Sequence, residues 1–112
     1  MESAAPSDAL MVFVTVPDPE TGARMGRVLV EEGLAACVNV IPGLRSIYAW
    51  QGKICDEAEA LCLVKTRRTS YERLRERLTT LHPYDVPEII GFVPDEGNQP
   101  YLRWLLDATR AP

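Results

Sequence analysis

The 112-residue sequence contains one histidine and three cysteines, and no long apolar run. With a single imidazole, any histidine-based hydrolysis would rest on His82, which sits directly before a proline with no serine or cysteine motif nearby. Cys37, Cys55 and Cys62 are odd in number and not closely paired. That pattern fits free thiols in a reducing compartment better than a disulfide framework. Glycine-rich phosphate cradles are absent. The longest apolar runs are far shorter than the roughly 20 residues needed to cross a bilayer. An excess of basic charge is lacking too: the net charge is -4 and the isoelectric point about 5.0. This argues against a sequence-independent nucleic-acid binder, which needs a basic surface. Residues 1–9 lack the basic and apolar regions of a signal peptide. They read as a flexible N-terminal tail ahead of one domain over residues 10–112, in a cytoplasmic protein without a membrane partner.

What is present is ordinary globular composition, 46% hydrophobic and 25% charged. Its dominant feature is the stretch from Ala36 to Thr66, which reads as one β-hairpin. The first arm is rich in Val, Ile, Tyr and Trp, residues suited to a pleated surface. Gln51-Gly52 is placed as its tight turn. An unbroken strand from Ala36 to Trp50 would run roughly 50 Å at ~3.3 Å per residue. A domain of this size should be only about 35 Å across. The arm must therefore bend, with Pro42-Gly43 as the place, or protrude. Beyond that point Ile47, Tyr48 and Trp50 are too apolar for a free ribbon in water. The hairpin tip is expected to pack on another subunit.

The remaining elements follow in order. Leu10–Val16 is an apolar strand ended by Pro17-Asp18-Pro19. A helix is expected from about Glu20 to Glu32, with Asp18 as its cap and Gly33 as its stop. Thr69-Ser70-Tyr71-Glu72 has the form of a capping box for a second helix ending at Leu81. The segment from His82 to Pro87 is a stiff linker. Glu88–Val93 is read as a fourth strand. Asn98 is placed to cap a final helix with Tyr101, Trp104, Leu105 and Ala108 on its inner side. This order implies an α+β, ferredoxin-like antiparallel sheet with helices on one face, an extra C-terminal helix and a long protruding hairpin. The strands are apolar on both faces, which calls for sheet packing between subunits.

Comparison with other uses of such a sheet removes several activities. The loop after the first strand, Val16-Pro17-Asp18-Pro19-Glu20, is acidic and would repel a phosphate. It holds no C-x-x-C pair for copper transfer. The central strands carry no aromatic platform with basic neighbours for RNA. Two candidates survive. Cys37 at the start of the hairpin and His82 after the second helix could converge on a soft metal such as copper(I) or zinc. The plainer reading is a core thiol and a helix-terminal imidazole. The second candidate is a cleft drawn from Tyr48, Trp50, Lys65, Tyr84, Glu88, Tyr101 and Trp104. There Lys65 would need a partner, for which Glu88 is the natural choice, and the cleft would hold a small polar or anionic ligand between subunits. The plainer reading is a structural ion pair with aromatic interface filler. Asp56, Glu57 and Glu59 read as a solvated hairpin edge.

Five motifs in order carry a resemblance: Leu34-Ala-Ala-Cys-Val-Asn39; Ser46-Ile-Tyr-Ala-Trp50 with Gly52-Lys53-Ile54; Lys65-Thr66-Arg67; His82-Pro-Tyr-Asp-Val-Pro-Glu88-Ile89; and Gly97-Asn98 with Tyr101-Leu102-x-Trp104. Together they resemble the CutA divalent-cation tolerance proteins from Leu10 to Thr109. The resemblance implies a ferredoxin-like subunit in a tight homotrimer with hairpins pairing between subunits, similar in architecture to the PII signalling proteins. It implies a non-enzymatic response to divalent metal ions. It also implies weak copper binding through the residues matching Cys37 and His82, with no cofactor required for folding. Asp85 stands where the family often has Glu. Cys55 and Cys62 fall where no fixed cysteine is expected. Animal members carry secretory or membrane-associated extensions, so this sequence fits the bacterial, cytoplasmic kind. The rivals are a PII-like sensor of a small anion and a purely structural trimer.

Overall fold

The protein is described by a computed structural model over residues 3–109. The terminal ends of the expected tail and domain, residues 1–2 and 110–112, lie outside the described residues. The elements are β1 (Ala9–Val16), α1 (Pro19–Glu31), β2 (Cys37–Trp50), β3 (Lys53–Arg67), α2 (Tyr71–Leu81), β4 (Ile90–Phe92) and α3 (Gln99–Ala108). One antiparallel sheet has the order β2-β3-β1-β4.

The hairpin forms as its sequence requires. Gln51 and Gly52 both have positive φ, 50° and 78°, the primed turn whose twist matches that of the strands it joins. Trp50 and Lys53 close the ladder. Between Ile41 and Leu44 the register slips by one residue, with Gly43 at φ +82°. That bulge bends the arm at Pro42-Gly43. The arm still projects, and the molecule measures 53 × 26 × 22 Å.

The two faces of the sheet are built differently. Leu10, Val12, Val14 and Val16 of β1 point to one face, where they bury with Met25 and Leu29 of α1 and Leu74 and Leu78 of α2. Asp18 caps α1 by accepting the Thr21 amide at 2.7 Å, and that bond holds its carboxyl below the usual range. Gly33 ends the helix at φ +72° while the Leu34 amide reaches back to the Leu29 carbonyl. Gly22 lets α1 approach closely: a Cβ there would stand 2.9 Å from the Cys62 sulfur. Cys62 is thus core filling, and burial pushes its thiol up to about 11.

The opposite face receives α3 alone. Leu102 and Leu105 bury there with Ala9 and Ala36. Helices therefore lie on both faces, not on one, because α3 crosses to the side left open by α1 and α2. Arg67 fixes the end of α3 by donating to the Leu106 and Thr109 carbonyls and the Thr109 hydroxyl. Gln99 brackets Ala4, accepting its amide and donating to its carbonyl. Ala4 is buried and residues 6–8 form a 3-10 turn, so the described part of the expected tail packs on α3.

Other differences are local. The capping box does not form: Arg68–Ser70 is already a 3-10 turn, so Thr69 lies within the turn and not ahead of it, and α2 begins at Tyr71 without a side-chain cap. The fourth strand is shortened to Ile90–Phe92, after the two prolines of the linker. On α3 the buried side is Leu102 and Leu105, while Tyr101 and Trp104 are exposed.

Candidate functional site

The face that α3 only partly covers carries the alternate residues of the strands. Phe13 on β1 and Ile90 and Phe92 on β4 stand there, with Phe13 and Phe92 ring centroids 4.9 Å apart. They are 36%, 50% and 50% exposed, an unusual fate for three large apolar residues on adjacent strands. At the hairpin end this face deepens into an open groove of about 610 Å³, lined by Thr15, Tyr48, Trp50, Glu57, Glu59, Tyr84, Asp85 and Glu88 among others.

Two strands and a linker position the groove's polar groups. Tyr48 on β2 donates its hydroxyl to Glu57 at 3.0 Å, and Tyr84 in the linker donates to Glu59 at 2.7 Å. The carboxylate beside Tyr48 disfavours a phenolate and pushes that phenol up to about 12. Burial first, then Glu59, pushes Tyr84 upward in the same way. The lining has four carboxylates and no Lys or Arg. Glu57 and Glu59 belong to the site, although the acidic run reads in sequence as a solvated edge. Parity along β3 separates them: Asp56 points away and is held by Arg45 at 2.7 Å, while Glu57 and Glu59 share the open face with Leu61.

The linker is held by His82. Its Nδ1 accepts the Tyr84 amide at 3.1 Å, and its Nε2 lies 2.7 Å from the Thr15 carbonyl. An acceptor at Nδ1 leaves the proton on Nε2, donating to that carbonyl. The ring is buried and packs on Tyr84 at 4.7 Å. Both nitrogens therefore anchor the linker and neither has a lone pair free for a metal.

Cys37 is elsewhere. It pairs across the sheet with Lys65, which pairs with Met11, four residues along β1 from Thr15. Four residues are roughly 13 Å of strand, so Cys37 and His82 do not converge within one subunit. Among the described residues no three His, Cys, Asp or Glu side chains are grouped to hold a metal ion. The seven residues expected to share a cleft also separate. Tyr48, Trp50, Tyr84 and Glu88 line the groove. Lys65 lies apart with α3, its ammonium 5.7 Å from the Tyr101 ring, and Tyr101 stacks on Trp104 at 5.5 Å. Lys65 and Glu88 form no ion pair.

The sequence pattern of the CutA1 divalent ion tolerance protein family matches residues 10–108. The chain belongs to the CutA1 divalent ion tolerance family. It is 50% identical over 99 residues to the divalent-cation tolerance protein CutA of Thermus thermophilus, covering 88% of this chain and 96% of that one. It is 42% identical over 109 residues to a chloroplastic CutA protein of Arabidopsis thaliana, covering 97% of this chain but only 60% of that protein. The crystal structure of CutA from Xylella fastidiosa superposes with a TM-score of 0.90 at 40% identity, covering 93% of this chain and all of that one (100%). CutA1 is a divalent-cation tolerance family and not a known enzyme family. Among the described residues no helix is long and apolar enough to cross a membrane.

Proposed function

We propose that this CutA1 chain works as a cytoplasmic homotrimer in the response to divalent metal ions, without catalytic turnover, and that it binds copper weakly. The observation that carries the assembly is the half-covered sheet face. Phe13, Ile90 and Phe92 remain 36–50% exposed on adjacent strands, and Trp50 and Ile54 project from the hairpin at 49% and 77%. Apolar area of this kind is stabilised by burial at about 25 cal/mol per Å², and further copies of the same surface supply the cover. Family membership supports the metal response.

Weakness of binding follows from the donors. Cys37 is a half-buried thiol and His82 is already engaged at both nitrogens. One thiolate is a poor site unless another copy or water completes it. An acidic groove without Lys or Arg suits a cation better than the small anion of the PII-like alternative. The test combines sedimentation with a copper(I) titration against a competing chelator. The expected mass is three times the chain's 12.5 kDa. Saturable binding should vanish in Cys37→Ser and persist in His82→Ala. Equal binding in Cys37→Ser would remove the copper site, and a one-copy mass would remove the assembly.

A further inference from the structure

The groove holds its negative charge in a row. Glu57 and Glu59 stand two residues apart on the same side of β3, roughly 7 Å between backbones. Extending the pairing Phe13↔Ile90 by two residues sets Glu88 level with Thr15, whose partner on β3 is Leu61. Glu88 is thus roughly 12 Å from Glu59 and roughly 16 Å from Glu57 between backbones. Metal ions bind carboxylate oxygens at about 2.0–2.6 Å and need side chains that converge on one point. Among the described residues no three do so.

Each carboxylate keeps an acceptor for a guest. Tyr48 occupies Oε1 of Glu57 and Tyr84 occupies Oε2 of Glu59, so the second oxygen of each glutamate remains. Glu88 is exposed and forms no ion pair among the described residues. Arg45 is taken up by Asp56 on the other side of the hairpin. The walls between these charges are aromatic. Tyr48 and Trp50 alternate on one side of β2, 39% and 49% exposed, and Tyr84 stands in the linker. Ring faces attract ammonium groups and bury the methylenes that join them. The volume of about 610 Å³ falls within the range of small-molecule sites.

We propose that the groove binds a linear polyamine, with its ammonium groups on Glu57, Glu59 and Glu88 and its methylene stems against Tyr48 and Trp50. This rests on the reading that the groove prefers a cation, and adds the class of cation. A metal ion concentrates its charge at one point, whereas a polyamine spreads it along a chain, as the carboxylates are spread along the groove. A quaternary ammonium would stack on the rings but has no N–H to donate to the carboxylates.

The experiment is calorimetric titration of the full, assembled protein with spermidine at constant ionic strength, beside putrescine, magnesium, choline and inorganic phosphate. Spermidine should bind saturably and more tightly than putrescine, and magnesium and choline should bind far more weakly than either. Glu57→Gln and Glu88→Gln should each weaken spermidine about tenfold, the loss of one hydrogen bond between charged groups. Trp50→Leu should weaken it about threefold, the loss of an exposed contact between ring and cation. All three side chains are exposed, and circular dichroism checks that the variants fold. Magnesium or choline binding as tightly as spermidine, and weakened by the glutamine variants, overturns the polyamine and leaves the groove a cation site. Spermidine affinity unchanged in both glutamine variants overturns the polyamine site. Binding of phosphate with none of the cations overturns the cation reading as well.

Discussion

The two faces of the sheet differ in how they are finished. One is closed by the subunit itself: Val12, Val14 and Val16 are 0% exposed beneath α1 and α2, and no large residue at its centre reaches water. The other has a single helix at one end, whose contacts are mostly alanine, and beyond it half-exposed Phe13, Ile90 and Phe92. The closed face contains the contacts that make a subunit fold. The open face leaves large apolar residues half exposed. The candidate groove lies on the open face, where new contacts can still be made.

Removing volume from the closed face should have the largest effect. Leu74 is 0% exposed among β1, α1 and α2, so Leu74→Ala leaves a cavity and should cost about 2–5 kcal/mol. Denaturant unfolding checks it. A loss below about 1 kcal/mol would mean that this side of the core is loosely packed. Gly22→Ala should follow at about 1–3 kcal/mol, since its Cβ would meet the Cys62 sulfur at 2.9 Å. Pairing it with Cys62→Ala should recover part of the loss and confirm the crowded contact.

The same size of change on the open face should act on assembly. Phe92→Asp puts a charge on a residue that is 50% exposed in the lone subunit, so the fold should persist by circular dichroism. Sedimentation should show the proposed trimer dissociating, by about 2 kcal/mol or more if Phe92 is buried at the centre of the interface. An unfolded Phe92→Asp chain would break the comparison, because the open face would then belong to the subunit core.

Much of this contrast is legible in sequence. Alternation cannot be seen in a strand such as Leu-Met-Val-Phe-Val, where every residue is apolar, and the structure accordingly has apolar residues on both faces, buried on one and half exposed on the other. Gln51-Gly52, Pro42-Gly43, Asp18 and Gly33 act locally, and each does in the structure what its backbone chemistry requires. The site is less legible because its members depend on tertiary direction. His82 could be placed at a helix end, but not that its ring turns inward to hold Thr15 and Tyr84. Lys65 and Glu88 share a face while roughly 16 Å separates them, a distance set by the pairing of β1 with β3 and β4. Tyr101 and Trp104 share the helical spacing of a buried stripe, yet α3 turns Leu102 and Leu105 inward, toward its small alanine-rich seat.

The smallest effect concerns the groove's tyrosines and separates it from the rest of the open face. Tyr48 donates to Glu57, and its ionisation is pushed up to about 12; burial and Glu59 shift Tyr84 in the same direction. A raised folded value stabilises the protonated form. The contribution is therefore complete below the ordinary tyrosine value near 10 and is lost as pH rises through the folded value. An ultraviolet titration of the native protein should show Tyr48 and Tyr84 ionising late. Glu57→Gln should return Tyr48 toward its ordinary range, while Tyr84 moves chiefly on unfolding, because burial is the larger of its causes. Normal titration of both phenols would mean that the hydrogen bonds lining the groove do not persist in solution, leaving the apolar residues as the open face's lasting feature.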